Sequence, residues 1–209
     1  MLSLTIEKKF FQAGYKIIGG IDEAGRGPLA GPVVAACLAC KTARLPDNKK
    51  YKEVKNSNKL TEKKREELYN FLKNDQGFSI GVGVCDHITI DRVNILQATF
   101  LAMKMAVSSL KSKPDFLLID GQHKIPNLTT EQRAIINGDD FVFLIAAASI
   151  IAKVERDRIM RSLHKKFPEY NFFRHKGYGT KEHILQLQKF GPCPIHRKTF
   201  APVSKLVAR

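Results

Sequence analysis

The segment that most constrains this chain is an apolar strand that ends in two adjacent acids and runs directly into a glycine-rich turn. It reads Gly20-Ile-Asp-Glu-Ala-Gly-Arg-Gly-Pro-Leu-Ala-Gly-Pro-Val33. Ionised carboxylates beside a core are costly without a counter-charge, which a hard divalent cation with oxygen ligands would supply. Because side chains alternate along a strand, Asp22 and Glu23 can both reach one ion only if the strand breaks near Glu23, and the glycines that follow favour that break. A lone acid pair is more often a turn with a capping Asp, so the metal interpretation depends on acids elsewhere in the chain.

Acids stand at the ends of two further apolar runs. These runs are Leu117-Leu-Ile-Asp120-Gly and Ile135-Ile-Asn-Gly-Asp139-Asp140. Each Asp taken alone is explained by a turn, but four carboxylates at one sheet edge would repel one another unless cations were bound. Two Mg²⁺ ions would neutralise such a cluster and support in-line hydrolysis of a phosphodiester. The joint pattern therefore predicts a metal-dependent site that acts on phosphate esters.

The charge balance favours a polyanionic partner. The chain has 35 Lys and Arg against 20 Asp and Glu, a formal net charge of +15. Because neutralising phosphates releases counterions, nucleic acid is the first expectation. A surface that is basic only for solubility, or an RNA-packing protein, would have the same composition.

Cysteine usage and hydropathy indicate an unexported protein. Cys37 and Cys40 lie in a strand-like run without a second Cys or His pair at zinc-finger spacing, so buried reduced thiols are expected. Residues 1–16 lack an uninterrupted apolar region, and the longest apolar stretch, about 141–152, is too short for a membrane span. We therefore expect a cytoplasmic location and no membrane partner.

Strands interleaved with helices predict an α/β layer around a mixed sheet, with a helical C-terminal portion from about residue 150 onward. The expected strands cover residues 16–21, 33–40, 78–85, 116–119 and 133–136. The expected helices cover the first dozen residues with Ser3 as a candidate cap, then 60–73, 89–109, 143–167 and 181–190, the last capped by Thr180.

The acid–glycine segment closely resembles the N-terminal signature of bacterial ribonuclease HII. The resemblance continues in order through Asn56-Ser-Asn-Lys-Leu60, Leu118-Ile-Asp-Gly121, Ala146-Ala-Ala-Ser-Ile-Ile-Ala-Lys153 with Arg156-Asp157, His175-Lys-Gly-Tyr-Gly-Thr180, and Gly191-Pro192 with His196-Arg197 and Phe200-Ala-Pro-Val203. It implies a ribonuclease H-like α/β fold, a five-stranded mixed sheet flanked by helices with a small helical C-terminal extension. The catalytic core would cover residues 1–150, and residues 151–209 would pack on it and contribute to substrate binding.

The resemblance also implies an activity. The family's members are endonucleases that hydrolyse the RNA strand of RNA/DNA hybrids and incise 5′ to ribonucleotides embedded in duplex DNA. They use Mg²⁺ or Mn²⁺, with two ions during catalysis, and leave 5′-phosphate and 3′-hydroxyl ends. A monomer is expected. A type HIII enzyme is not expected, because the short stretch before Asp22 leaves no room for that type's additional N-terminal domain.

Carried over by position, the family's four metal-binding and catalytic acids fall on Asp22, Glu23, Asp120 and Asp139. The last position departs from the family pattern, since Asn137 stands where a lysine is usual. Two other acids compete with Asp139 for the fourth place. They are its neighbour Asp140 and Asp157, which lies on a predicted helix where a salt bridge explains it better. Asp139 ranks first.

The family's substrate-binding residues also have counterparts. Gly25, Arg26 and Gly27 match a turn whose backbone senses the 2′-hydroxyl at an RNA-to-DNA junction, the group that distinguishes RNA from DNA. Tyr178 matches a tyrosine that packs against the sugar beyond the junction; the alternative is a loop tyrosine packed on the C-terminal helix. Ser57 and Lys59 match a phosphate-contacting segment, although Asn56 replaces its usual acid.

Other classes remain open on the residues alone. A non-catalytic nucleic-acid binder on the same fold would keep the basic surface, and a Mg²⁺ phosphatase would have no evident use for the positive charge. The histidines show no zinc-hydrolase spacing, and most of them are expected at the surface. They are His87, His123, His164, His175, His183 and His196.

Overall fold

The structure is a computed structural model that describes residues 2, 4–42 and 48–207 of the 209-residue chain. The described part has five strands: β1 (Ile18–Ala24), β2 (Val33–Cys40), β3 (Phe78–Cys85), β4 (Phe116–Asp120) and β5 (Glu131–Ile135). Its α-helices are α1 (Thr5–Gln12), α2 (Lys49–Glu53), α3 (Glu62–Asn74), α4 (His87–Val93), α5 (Ile95–Ser108), α6 (Phe143–Lys166), α7 (Phe172–His175), α8 (Lys181–Phe190) and α9 (Val203–Val207). Short 3₁₀ turns cover Ser57–Lys59, Gly138–Asp140 and Pro168–Tyr170. The candidate cap Ser3 lies outside the described residues.

The strands form one mixed sheet in the order β3-β2-β1-β4-β5. The pairs β3–β2 and β2–β1 are antiparallel, whereas β1–β4 and β4–β5 are parallel. The parallel half places the carboxyl ends of β1, β4 and β5 at one edge. The prediction of a five-stranded mixed sheet flanked by helices is confirmed.

Alternation along β2 explains the three layers. Ala36, Leu38 and Cys40 pack with α6 on one face, while the odd-numbered residues of the strand pack with α5 on the other. Every residue of β2 is buried, as expected for a strand with a helix on both faces.

Small residues let the helices approach the sheet backbone. A Cβ built on Gly20 would lie 2.4 Å from the Leu144 carbonyl carbon of α6, and one built on Gly83 would lie 2.0 Å from the Ala102 oxygen of α5. Side chains at either position would push a helix off the sheet.

The expected end of the first strand at residue 21 is wrong, whereas the break expected near Glu23 is found one residue later, after Ala24. β1 stays paired with β2 through Asp22, Glu23 and Ala24, and only its parallel pairing with β4 ends earlier, at Ile21. The chain leaves the sheet at Gly25, where φ is +101°. The antiparallel ladder is therefore what carries both acids to the edge of the sheet.

The single long helix expected over 89–109 is also wrong, because the chain forms α4 and α5 with Asn94 between them. Asn94 has a φ of 68°, and its side chain accepts hydrogen bonds from the Leu96 and Gln97 amides. An Asn that ends one helix in a left-handed conformation and caps the next leaves the apolar periodicity nearly unchanged.

The C-terminal helices build a separate apolar cluster. Helix α6 runs on past the sheet, and its Met160 packs with Leu29, Phe172 and Val203 in this cluster. Thr180 caps α8 as predicted, since its hydroxyl accepts from the His183 amide. This cluster includes Leu29 and Ala30, which belong to the glycine-rich turn that follows β1.

The thiol prediction is confirmed for Cys37 and Cys40, which are free and buried. Burial raises the pKa of Cys40 to about 12, which keeps it protonated and unreactive. Among the described residues, the structure contains no helix that is both long and apolar enough to span a membrane.

A stability prediction concerns Glu7, which is fully buried and caps α6 from outside by accepting a hydrogen bond from the Leu144 amide at 2.9 Å. Burial raises the pKa of Glu7 from 4.5 to about 7. Between these two pKa values the folded state holds a proton on Glu7 that the unfolded state releases. The folded protein is therefore most stable below the unfolded pKa, and this part of its stability is lost as pH rises through about 7. Because glutamine does not ionise, Glu7→Gln should not show this loss. Its free energy of unfolding should rise by about 3 kcal/mol relative to that of the wild type between about pH 5 and about pH 8.

Urea unfolding across that pH range measures the effect. The exposed Glu169→Gln is the control, and its difference from the wild type should not change with pH. Parallel stability curves for Glu7→Gln and the wild type would contradict the prediction.

Candidate active site

A cavity of about 240 Å³ opens where β1 and β4 end. Its walls are formed by Asp22, Glu23, Ala24, Gly25, Arg26, Gly27, Ser57, Asn58, Asp120, Asp139, Lys153 and Tyr178. Every site residue expected from the sequence lies on these walls except Lys59. A larger cavity of about 710 Å³ beside the edge strand β3 contains none of these residues. We assign the smaller cavity as the site because the converging acids lie there.

Each acid is positioned by the end of a strand. Asp22 and Glu23 are followed in β1 only by Ala24, Asp120 is the last residue of β4, and Asp139 lies in the 3₁₀ turn after β5. Asp22 is almost fully buried, with 6% of its surface exposed. Parallel strands bring these ends together, which is why residues far apart in sequence share one cavity.

Main-chain donors order the cluster. Asp22 Oδ1 accepts from the Glu23 amide at 2.7 Å, and Asp120 Oδ1 accepts from the Asp139 amide at 3.4 Å. The second bond connects β4 to the turn that carries Asp139. Arg26 supplies a counter-charge, with its Nη1 at 3.3 Å from Glu23 Oε1.

Electrostatics make this edge of the sheet attractive to cations. Burial raises the pKa of Asp22 well above its usual range, and the charges of Glu23 and Asp120 add to the effect. Burial also raises the pKa of Glu23, although Arg26 opposes the shift, and it raises the pKa of Asp120. Burial, followed by the charges of Asp120 and Asp140, raises the pKa of Asp139 to about 6. Four acids that resist joint ionisation gain from a bound cation.

By chemistry and by place the cluster suits a hard divalent cation, since it offers only carboxylate oxygens. Among the described residues, however, no three acid, histidine or cysteine side chains converge closely enough to hold an ion without movement. The carboxylates would therefore have to turn towards one another on binding.

The two competing acids do not line the cavity. Asp140 accepts from Lys59 Nζ at 2.6 Å and from Asn56 Nδ2 at 3.1 Å, so Lys59 is turned towards Asp140. Asp157 is buried on α6 in an ion pair with Lys153, whose Nζ is 2.7 Å from Asp157 Oδ1.

The glycine turn and Tyr178 face the same space as the acids. The position of a Cβ on Gly27 would be 3.9 Å from Tyr178 Cε1, so the turn and the ring are neighbours. Tyr178 is 42% exposed, and its ring lies 5.7 Å from Lys153 Nζ. The surface is therefore continuous from the exposed ring of Tyr178 across the glycine-rich turn to the four acids.

Similarity to known proteins identifies the family of this chain. A family model described as Ribonuclease HII matches residues 19–203. The chain belongs to the ribonuclease HII family. It is therefore a ribonuclease H of type HII, an enzyme with ribonuclease H activity on RNA/DNA hybrids from a divalent-metal-dependent family.

Relatives of this ribonuclease HII cover most of its length. The Ribonuclease HII of Caldanaerobacter subterraneus subsp. tengcongensis is 52% identical over 194 residues, which are 93% of this chain and 78% of the relative. The crystal structure of ribonuclease H2 from Pyrococcus horikoshii OT3 superposes with a TM-score of 0.73 at 26% identity, covering 92% of this chain and 98% of that one. Bst-RNase HIII in complex with Mn²⁺ has the same fold, with a TM-score of 0.65 at 17% identity over 95% and 71% of the two chains.

Three cavity residues of this ribonuclease HII were not singled out from the sequence, and the first is Ala24, the last residue of β1. Asn58 lies beside Ser57, and Lys153 reaches the cavity from α6. Burial lowers the pKa of Lys153, and Asp157 opposes that shift. The i, i+4 spacing of Lys153 and Asp157 was the available signal, but it indicates an ion pair and not a cavity wall.

The expectation that most histidines lie at the surface is wrong for three of them. His175, His183 and His196 are buried, and the rings of His175 and His183 stack with centroids 4.4 Å apart. Their ring nitrogens bond to main-chain groups or to one another, which removes the cost of burying them.

Proposed function

We propose that this ribonuclease HII incises 5′ to ribonucleotides embedded in duplex DNA, and cuts the RNA strand of hybrids, by metal-assisted in-line attack of water that leaves 5′-phosphate and 3′-hydroxyl ends. One observation carries the proposal. The glycine-rich turn and Tyr178, which are suited to contact a sugar, line the same cavity as four acids suited to hydrolyse the adjoining phosphodiester. Sugar recognition and bond cleavage would then occur within one bound nucleotide step.

In this proposal Asp22, Glu23, Asp120 and Asp139 hold two divalent ions, Mg²⁺ or Mn²⁺. Bound ions of this kind activate the attacking water and stabilise the leaving oxygen. The acids fix where the ions lie, because three of them end strands of a packed sheet and the fourth is tied to Asp120 through its amide.

The turn and Tyr178 would select the sugar. The backbone groups of Gly25, Arg26 and Gly27 contact the 2′-hydroxyl, since the glycines leave room for the substrate to approach the main chain. The Arg26 side chain is 51% exposed, so a phosphate can compete with Glu23 for its guanidinium group. The ring of Tyr178 packs against the neighbouring deoxyribose.

Ser57 and Lys59 would contact the phosphate backbone. Ser57 lines the cavity in a turn fixed by the Ser149 hydroxyl, which accepts from the Ser57 amide at 3.1 Å. Lys59 would have to exchange Asp140 for a phosphate, and at 56% exposure its side chain has access to solvent for this exchange. Residues 151–209 contribute to binding through Lys153 and Tyr178.

We further propose that the enzyme acts as a cytoplasmic monomer. The buried reduced thiols are typical of a reducing compartment. All residues invoked for binding and hydrolysis come from one chain.

Cleavage of an end-labelled DNA duplex with one embedded ribonucleotide tests the proposed function. A single cut on the 5′ side of the ribonucleotide is expected with Mg²⁺ or Mn²⁺ and none with EDTA. Cutting of a long RNA/DNA hybrid without any cut at the single ribonucleotide would overturn the junction proposal. Tight binding without a cut with either metal would overturn the proposed hydrolysis.

Tyr178→Ala should blunt discrimination for the junction. Loss of a ring packed on the sugar should reduce the ratio of kcat/KM for the single-ribonucleotide duplex to that for a long hybrid by about tenfold. Phe190→Ala, which removes another exposed aromatic ring, is the control and should leave the ratio unchanged. An unchanged ratio in Tyr178→Ala would count against the role of this ring.

A further inference from the structure

The segment after α8 holds the glycine-rich turn by its carbonyl groups. Arg197 is fully buried and directs its guanidinium group at the turn. Its Nη2 donates to the Gly25 oxygen at 2.6 Å and its Nη1 to the Arg26 oxygen at 2.9 Å. Its Nε donates to the Gly31 oxygen at 3.0 Å, so one side chain grips both ends of the turn.

These bonds determine where the amides of the turn point. In a trans peptide the N–H of one residue points away from the C=O of the residue before it. Because Arg197 holds the oxygens of Gly25 and Arg26, it turns the amide hydrogens of Arg26 and Gly27 away from itself. Arg26 and Gly27 line the cavity, so amide hydrogens directed away from Arg197 would be available to a substrate there.

The neighbouring residue, His196, reaches the Tyr178 segment. Its Nε2 lies 2.9 Å from Nε2 of His183, whose Nδ1 lies 2.9 Å from the Tyr178 carbonyl oxygen. Because that oxygen can only accept, we assign the proton of His183 to Nδ1, which leaves Nε2 to accept from His196. The His196 Nδ1 is then free to accept from the Cys193 amide at 2.9 Å.

The main chain of this segment is also bonded to the turn. The Arg197 amide donates to the Leu29 oxygen at 2.8 Å, and the Gly31 amide donates to the Ile195 oxygen at 2.9 Å. Among the described residues, Arg197 has no carboxylate within ion-pair distance, so its charge is satisfied by carbonyl groups. Moving the turn away from Arg197 would leave a buried guanidinium without acceptors, which is costly. The arrangement is therefore rigid.

We propose that His196 and Arg197 are positioning residues that set the glycine turn against Tyr178 and thereby determine selectivity for ribonucleotides. Arg197 acts on the amides of the turn, and His196 acts through His183 on the Tyr178 backbone. The proposal rests on the proposed function, since it assigns selectivity to the same turn and ring.

Competition kinetics with a matched all-DNA duplex tests the proposal. KM and kcat are measured on a duplex with one ribonucleotide, and Ki is measured for the same duplex without it, both with Mg²⁺. Arg197→Lys keeps the charge but cannot hold several carbonyls at once. It should lower kcat/KM and the ratio of Ki to KM by at least about tenfold while leaving Ki unchanged. A loss of folded enzyme would lower kcat but would not change the ratio of Ki to KM.

Arg174→Lys is the matched control, because the Arg174 side chain is 77% exposed and pairs with Glu182 at 3.6 Å. It should behave as the wild type. If thermal melting shows that Arg197→Lys does not fold, the His196 arm decides. His196→Gln keeps a donor towards His183 and should retain selectivity, whereas His196→Leu should lose it.

Wild-type selectivity in folded Arg197→Lys, or equal selectivity of His196→Leu and His196→Gln, would overturn the proposal. A wild-type enzyme with equal Ki and KM would instead overturn the proposed junction function, and with it the selectivity assigned to these residues.

Discussion

Asp120→Asn is expected to lower cleavage about 10³-fold, which corresponds to about 4 kcal/mol of lost transition-state stabilisation. Asp120 ends β4 in the middle of the acid cluster, and its Oδ1 is bonded to the Asp139 amide. The substitution preserves shape and that hydrogen bond but removes one of the charges that would hold the ions. Duplex affinity should remain within about twofold, since Asp120 contacts no phosphate in the proposed complex.

Asp140→Asn is the matched control for this experiment. It removes the same charge from the residue next to Asp139, but Asp140 points to Lys59 and lies outside the cavity. Cleavage by the control should fall by no more than a few-fold. Full activity of Asp120→Asn, or an equal loss in both variants, would remove Asp120 from the proposed metal site. Both rates should be measured at several Mg²⁺ and Mn²⁺ concentrations.

Gly25→Ala is expected to cost about 4 kcal/mol or more in the free energy of unfolding. Gly25 has a φ of +101°, and a Cβ there would lie 2.1 Å from Arg156 Nε and 2.7 Å from the Pro32 oxygen. Arg156 cannot step aside cheaply, because its Nη1 donates to the Lys176 oxygen at 2.9 Å and its Nε to the Pro32 oxygen at 2.9 Å. The added methyl group must therefore displace the main chain at Pro32 or break the buried hydrogen bonds of Arg156.

Gly14→Ala separates this clash from backbone strain. Gly14 has nearly the same φ, +102°, but nothing lies within 4 Å of a Cβ built there. Its cost should be about 1 to 3 kcal/mol, the strain alone. Urea unfolding of both variants gives the comparison, and equal costs would show that the turn relaxes around the added methyl group.

Elements whose signals are local could be predicted from the sequence. The bounds of β2 and β3 agree with the expected 33–40 and 78–85, because β-branched runs and alternation mark strands without reference to the rest of the chain. Helix α8 likewise agrees, since Thr180 caps it and Gly191 ends it with a φ of 71°.

Features that depend on a partner elsewhere in the chain could not be predicted. Pairing with β2 keeps β1 in the sheet as far as Ala24, past the end expected at residue 21. Asn94 interrupts an apolar repeat that continues on both sides of it. In each case the deciding contact or conformation leaves no periodic trace in the sequence.

The same division applies to the site. The acids were found because each ends an apolar run, and parallel strands bring such ends together. The burial of His183 and His196 had no such signal, because it comes from bonds between segments that are distant along the chain. Lys59 was predicted to contact phosphate because it matches a phosphate-contacting segment of the family, and in the structure its ammonium group pairs with Asp140.

The grip of Arg197 on Gly25 joins positions 172 residues apart, which has a consequence for the order in which the enzyme is assembled during translation. Chains begin to fold from the N-terminus while synthesis continues. A nascent chain that has emerged as far as α6 already contains the strands and all four acids, but it still lacks the Arg197 guanidinium that holds the Gly25 and Arg26 carbonyls. Residue 197 must be synthesised before that turn is held in place. An unfinished chain would therefore be able to bind cations well before it could select the site of cleavage.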